Sequence, residues 1–158
     1  MEMIFNLDKI FTGEYAYEGI FLMSVSLFFS ILFLQSGIDK IVSFSANLSY
    51  FQDHFKNTFL KNQVKFSLIL ITVLECISGL LFLLSLIFFI KCGGDGFGIR
   101  LGLSYLYFPA LIFTFITLCS LFFGQRIAQD YVGAVNLGIY FLIALLAFSL
   151  PVLFLELL

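Results

Sequence analysis

Long apolar stretches separated by short polar connections dominate the sequence. Three of them, 19–38, 101–125 and 131–155, contain no Asp, Glu, Lys or Arg, and a fourth, 66–90, contains one acidic residue, Glu75. An α-helix of about 20 apolar residues is long enough to cross the hydrocarbon core of a bilayer. The pattern therefore predicts four transmembrane helices over these four ranges.

The connection between the first two spans has a different periodicity. Apolar residues recur there at every third or fourth position, namely at Phe44, Leu48, Phe51, Phe55 and Phe59. Polar residues such as Asp53 and Lys56 lie between them. This spacing predicts an amphipathic helix over about 44–60 that lies on the membrane surface or against the spans. We therefore expect an all-α fold, a four-helix transmembrane bundle with this surface helix between helices 1 and 2, in a single membrane domain over 1–158.

Pro109 interrupts the third of these spans. Proline lacks the backbone N–H that would bond to the preceding turn, and its ring clashes with that turn. We therefore expect the third span to bend near this residue.

Composition agrees with a membrane location. Of the 158 residues, 61% are hydrophobic and 11% are charged, and the mean hydropathy is +1.10. Soluble domains carry about 25% charged residues. The lipid bilayer is therefore the expected environment, and the net charge of −2 without a basic run argues against nucleic acid as a partner.

The residues that usually carry redox or metal chemistry are few and scattered. Cys76, Cys92 and Cys119 do not form a Cys-x-x-Cys pair, and the single histidine, His54, excludes a bis-histidine haem within one chain. We therefore expect no metal site, no covalently bound cofactor and no catalytic residue.

Glu75 is the most informative residue of the sequence. An ionised carboxylate facing lipid would cost several kcal/mol, so this side chain needs a partner. With four crossings, the ends of spans one and three and the starts of spans two and four lie on one side of the membrane. We expect Glu75 either to form an ion pair with Lys40 or Arg126 or to be protonated and hydrogen-bonded. The candidate polar pocket comprises Glu75, Lys40, Arg126, Asn136, Gln35 and Tyr140.

Two interpretations of this pocket remain open at the level of sequence. Polar groups in a membrane can hold helices together, and in the first interpretation the cluster is purely structural and only anchors the spans. Ionisable residues inside a membrane are also often part of a ligand site or a proton relay. The sequence does not choose between them.

Short motifs at these positions resemble those of the DoxX family of small bacterial four-helix membrane proteins. Residues 36–40, Ser-Gly-Ile-Asp-Lys, resemble the Gly-x-x-Lys that ends its first helix. Residues 75–80, Glu-Cys-Ile-Ser-Gly-Leu, resemble the Glu-x-x-Gly-Gly element of its second helix, and residues 124–134 resemble the closing segment of a DoxX-like subgroup.

The resemblance implies a function linked to redox chemistry, because relatives include the small subunit of a thiosulfate:quinone oxidoreductase. We expect an accessory subunit of a redox-linked or respiratory complex in the bacterial inner membrane, not catalytic on its own. Its polar pocket would hold a quinone headgroup or relay a proton, and its partner would be a larger membrane complex or another copy of the chain. The alternative is a structural subunit or assembly factor, and a small-solute or lipid carrier is a third possibility.

Overall fold

Four helices of the protein are long and apolar enough to cross a membrane. The structure is a computed structural model that describes residues 15–92 and 95–156. In this part of the chain it contains helices and turns and no β-strand, which confirms the predicted all-α four-helix fold. The helices, in chain order, are α1 (Ala16–Val42), α2 (Phe44–His54), α3 (Val64–Cys92), α4 (Gly96–Gly102), α5 (Phe108–Ile127) and α6 (Tyr131–Glu156).

The spanning helices extend beyond the apolar ranges. The predicted spans 19–38 and 66–90 lie inside α1 and α3, which continue at both ends into polar residues. Backbone hydrogen bonding does not stop where the apolar run stops, so charged residues extend these helices toward water. The third span comprises Gly96–Ile127.

Reciprocal glycine contacts bring α1 and α3 close together. A Cβ atom built on Gly37 of α1 would lie 2.7 Å from Sγ of Cys76, and one built on Gly79 of α3 would lie 2.8 Å from the backbone nitrogen of Leu34. Small residues at such positions allow helix backbones to approach closely in lipid, where dispersion contacts drive association. This contact fixes the register of α1 against α3.

Buried hydroxyl groups join α3 to α5. The hydroxyl oxygens of Ser78 and Thr114 lie 2.7 Å apart, and both side chains have no exposed surface. Ser78 also donates a hydrogen bond to the backbone carbonyl of Ala110, at 3.3 Å. These bonds satisfy polar groups that would otherwise be buried without partners.

Aromatic rings fill the core between α1, α3 and the third span. The rings of Phe29 and Phe82 stack with centroids 5.1 Å apart, and Tyr107 meets the edge of Phe82 at 5.8 Å. All three side chains are fully buried. The core therefore fills the middle of the bundle and leaves Glu75 nearer one end of it.

The third span contains a widened turn directly before its proline. Residues Leu103–Tyr107 form a π-helical turn in which the N–H of Phe108 donates to the carbonyl of Leu103, five residues earlier. Pro109 follows at the start of α5. The irregularity expected at this proline thus takes the form of a π turn, which loosens the backbone where the N–H is missing.

The surface helix is shorter than the sequence predicted. It ends at His54, not near residue 60, and a separate 3₁₀ helix, Phe59–Asn62, follows it. The side chain of Thr58 explains the break, because its hydroxyl donates to the carbonyl of Phe55 and accepts a hydrogen bond from the N–H of Leu60. Phe59 therefore does not lie on the apolar face predicted for the surface helix, and it is 71% exposed.

Candidate functional site

A buried ion pair joins the first two spans. The Nζ atom of Lys40 lies 2.8 Å from Oε2 and 3.0 Å from Oε1 of Glu75, so the ammonium contacts both carboxylate oxygens. Only 2% of the Glu75 surface is exposed. The carboxylate predicted to need a partner therefore has one from α1.

Ser36 completes this cluster from one turn before Lys40. Its hydroxyl accepts a hydrogen bond from Nζ of Lys40, at 2.6 Å, and donates one to Oε1 of Glu75, at 3.1 Å. Residues four apart share one face of a helix, which is why Ser36 and Lys40 meet the same carboxylate. Neighbouring charges and hydrogen bonds together offset the cost of desolvating both ions.

The helix register leaves space beside this cluster. Lys40 lies two residues before the end of α1, whereas Glu75 lies eleven residues after the start of α3. At a rise of 1.5 Å per residue, α3 extends about 16 Å past the ion pair and α1 only about 3 Å. The chain of α2 and the end of α5 surround this projecting part of α3.

A cavity of about 210 Å³ occupies that space. Lys40 is the one ionisable residue among the described residues that line it, and Glu75 does not line it. The rest of the wall is mostly apolar and consists of Phe51, Phe55, Leu60, Val64, Ser67, Leu68, Leu70, Ile71, Ser120, Leu121, Phe123, Gly124 and Gln125. The cavity is thus a mostly apolar space with one ionisable residue, Lys40, in its wall.

The surface helix α2 closes the cavity on one side. A Cβ atom built on Gly124 would lie 3.4 Å from Cζ of Phe55, so the ring packs directly against the α5 backbone. Next to it, Nε2 of His54 and Oε1 of Gln125 lie 3.1 Å apart, which places a hydrogen bond donated by the histidine between α2 and α5. The amphipathic helix is therefore docked on the bundle.

The remaining residues of the predicted pocket lie outside the cluster. The guanidinium group of Arg126 stands 4.7 Å above the ring of Tyr131 and makes no hydrogen bond or ion pair with Glu75. Gln35 and Asn136 are exposed. Tyr140 is half-buried, with its ring 6.5 Å from that of Phe28. Of the six candidates, the structure brings together Lys40 and Glu75.

Sequence reasoning missed the contributions of Ser36 and Gln125 to this region. The four-residue spacing of Ser36 and Lys40 was a usable signal. Gln125 gave none, because it meets His54 only through the docking of α2 onto α5. His54 lies half-buried against Gln125.

The arrangement favours an amphipathic ligand. Lys40 offers hydrogen-bond donors, while the surrounding phenylalanine and leucine side chains suit an apolar group. Among the described residues, no group of three His, Cys, Asp or Glu side chains is placed to hold a metal ion, and the three cysteines are free. No family model matches the chain, and no curated protein or solved structure matches it either.

Proposed function

We propose that this integral membrane protein is an accessory subunit of a redox-linked or respiratory complex, and that its cavity beside Lys40 binds the headgroup of a quinone-like amphiphile. The observation that carries the proposal is the single ionisable residue, Lys40, in the wall of a mostly apolar cavity. Glu75 and Ser36 hold that group in place.

The chemistry of the cavity suits a quinone. A quinone carbonyl accepts hydrogen bonds, and an N–H group of Lys40 would donate to it by exchanging one of its present acceptors. The apolar tail would leave toward lipid past Leu70 and Phe123, which line the cavity and are 46% and 57% exposed. Such a site would take its ligand from the bilayer and not from water.

The DoxX-like motifs coincide with the contact that builds the site. The first motif supplies Gly37 and Lys40, and the second supplies Glu75 and Gly79. In the structure, the two segments pack together through these residues. This coincidence supports the proposal that the chain is a DoxX-like protein of the bacterial inner membrane, with a larger complex or a second copy as its partner.

The experiment that tests the proposal is ligand analysis after mild purification. The protein is extracted from bacterial membranes in gentle detergent, and bound quinones and copurifying proteins are identified by mass spectrometry. We expect quinone in the wild type and in Arg126→Gln, whose exposed cation lies outside the cavity wall. Lys40→Met should lose it, because the cavity then has no ammonium donor.

A folded Lys40→Met protein that retains quinone as well as the wild type does would overturn the assigned headgroup site. Quinone-free wild-type protein that copurifies with a redox complex would support the accessory role but not the ligand. Neither a ligand nor a redox partner would contradict the proposal as a whole.

A structural subunit or assembly factor is a second candidate, and one observation favours it. Nζ of Lys40 already has four acceptor atoms within 3.3 Å, on Glu75 and Ser36, so the cluster is complete without a ligand. In that case the ion pair only anchors α1 to α3. A stable variant carrying both Lys40→Met and Glu75→Leu would then still assemble with its partner and support that partner's activity.

A further inference from the structure

The connection between α2 and α3 is locally basic. Residues 55–66 contain three lysines, Lys56, Lys61 and Lys65, and no acidic residue. All three side chains are exposed. They lie in the turn after α2, in the 3₁₀ helix and in the first turn of α3, so one short segment carries them to one end of the bundle. We call these three residues the lysine rim.

The charge of the lysine rim is not neutralised by the described part of the protein. Over residues 15–92 and 95–156, the one ion pair is that of Lys40 with Glu75. The nearest acidic residue in the sequence, Asp53, makes no salt bridge with the rim. Three ammonium groups therefore face outward without a carboxylate partner from these residues.

Exposed aromatic rings accompany the lysines. Tyr50, Phe59 and Phe66 are 61%, 71% and 69% exposed, and they lie before, between and after the rim residues along the chain. Aromatic rings next to lysines are typical of the depth at which headgroups meet acyl chains, because the rings enter the apolar layer and the ammonium groups reach back to water. The segment is therefore placed at a membrane interface.

We propose that the lysine rim binds the headgroups of anionic phospholipids. Their phosphate groups complement ammonium groups that have no carboxylate partner within the described ranges, and juxtamembrane lysines of this kind favour anionic lipid by roughly fivefold each. None of the three lysines lines the cavity beside Lys40, and the proposal does not depend on which ligand that cavity holds.

The opposite end of the bundle provides a matched control. Lys91 and Arg100 are also exposed cations at helix ends. One exposed acidic residue, Asp95, lies between these two cations in the sequence, whereas no acidic residue lies between Lys56 and Lys65. Replacing these two cations removes positive charge from the protein without touching the rim.

The test is native mass spectrometry of the protein from membranes that contain equal amounts of phosphatidylglycerol and phosphatidylcholine. We expect the wild type and the Lys91→Gln/Arg100→Gln variant to retain phosphatidylglycerol at least about fivefold over phosphatidylcholine. The Lys56→Gln/Lys61→Gln/Lys65→Gln variant should lose this preference. Raising the salt concentration should weaken it in the wild type, because the exposed charges are screened.

Several outcomes would overturn the proposal. They are equal retention of both lipids by the wild type, an unchanged preference in the rim variant, or an equal loss in the control variant. A copurifying protein that shields the rim lysines from amine acetylation would also overturn it, since the partner would then be a protein. All three lysines are exposed, so replacing them should not unfold the protein. An unchanged melting temperature of the rim variant would verify this.

Discussion

The hydroxyl group of Tyr107 donates a hydrogen bond to the backbone carbonyl of Ala147, at 2.9 Å. That carbonyl is the one that residue 151 would normally satisfy within α6, and residue 151 is a proline without an N–H group. Tyr107 belongs to the π turn of the third span and is fully buried. The irregular turn of one span thus supplies the donor that a proline removes from another.

Replacing Tyr107 with Phe should therefore destabilise the protein. The carbonyl of Ala147 would be left without a donor in a buried position, at a cost of about 1–3 kcal/mol in the free energy of unfolding. Thermal unfolding in detergent would measure the loss. In a Pro151→Ala background, where the α6 backbone supplies its own N–H, the same tyrosine substitution should cost clearly less. Equal costs in both backgrounds would show that the bond does not compensate for the proline.

Substituting Gly79 with Ala should separate α1 from α3. The added methyl group would lie 2.8 Å from the backbone nitrogen of Leu34, and backbone cannot move aside as a flexible side chain can. Overpacking of this kind costs about 1–3 kcal/mol. Gly138→Ala is the matched control, because a Cβ atom there meets nothing within 4 Å. Melting temperatures should fall for the first variant and stay level or rise slightly for the second.

Replacing Gln129 with glycine should stabilise the protein. It has a φ of 61° at the end of α5, where the N–H of Asp130 bonds to the carbonyl of Gln125 and that of Gln129 to Arg126. This left-handed position costs a residue with a side chain about 1–2 kcal/mol and costs glycine almost nothing. Gln129→Gly should therefore raise the melting temperature. Gln63→Gly, at a φ of −112°, should not, and a rise in both variants would refute the explanation.

Gln125→Leu should loosen the surface helix without unfolding the spans. The substitution removes the acceptor that Oε1 offers to His54, so the last turn of α2 loses a link to α5. Hydrogen exchange of the backbone amides at residues 51–54 should become several-fold faster, while the interior of α3 keeps its protection. The matched change Gln35→Leu, at an exposed position of α1, should leave α2 unaffected.

The length of the apolar runs made the four spans predictable. A helix that crosses a membrane needs a minimum number of consecutive apolar residues, and few other folds contain runs of that length. The phase of α3 was equally informative. The spacing of three or four residues places Thr72, Glu75, Gly79, Phe82 and Leu86 on one face, and the first four are buried in the structure whereas Leu86 is half-buried. Which residues share a face of one helix follows from their spacing along the chain, so it can be predicted from the sequence.

The partner of Glu75 was harder to predict because it depends on how neighbouring helices are rotated and shifted. Lys40 and Arg126 were equally plausible, and the glycine contact of α1 with α3 selects Lys40. Asn136 shares its helical face with Ala144 and Ala147, which are buried, yet Asn136 itself is exposed, so helical phase within α6 did not locate it. The surface helix ends before residues 55–58 because the Thr58 side chain forms hydrogen bonds with the backbone there. The spacing of apolar residues does not predict these bonds.

The central claim is that Lys40 and Glu75 form one buried ion pair between the first two spans, and a double-mutant cycle on the free energy of unfolding tests it most directly. Lys40→Met and Glu75→Leu should each cost about 3–5 kcal/mol, since each leaves a buried charge without its partner. The double variant should cost far less than the sum of the two, because no unpaired charge remains. Additive costs would contradict the claim.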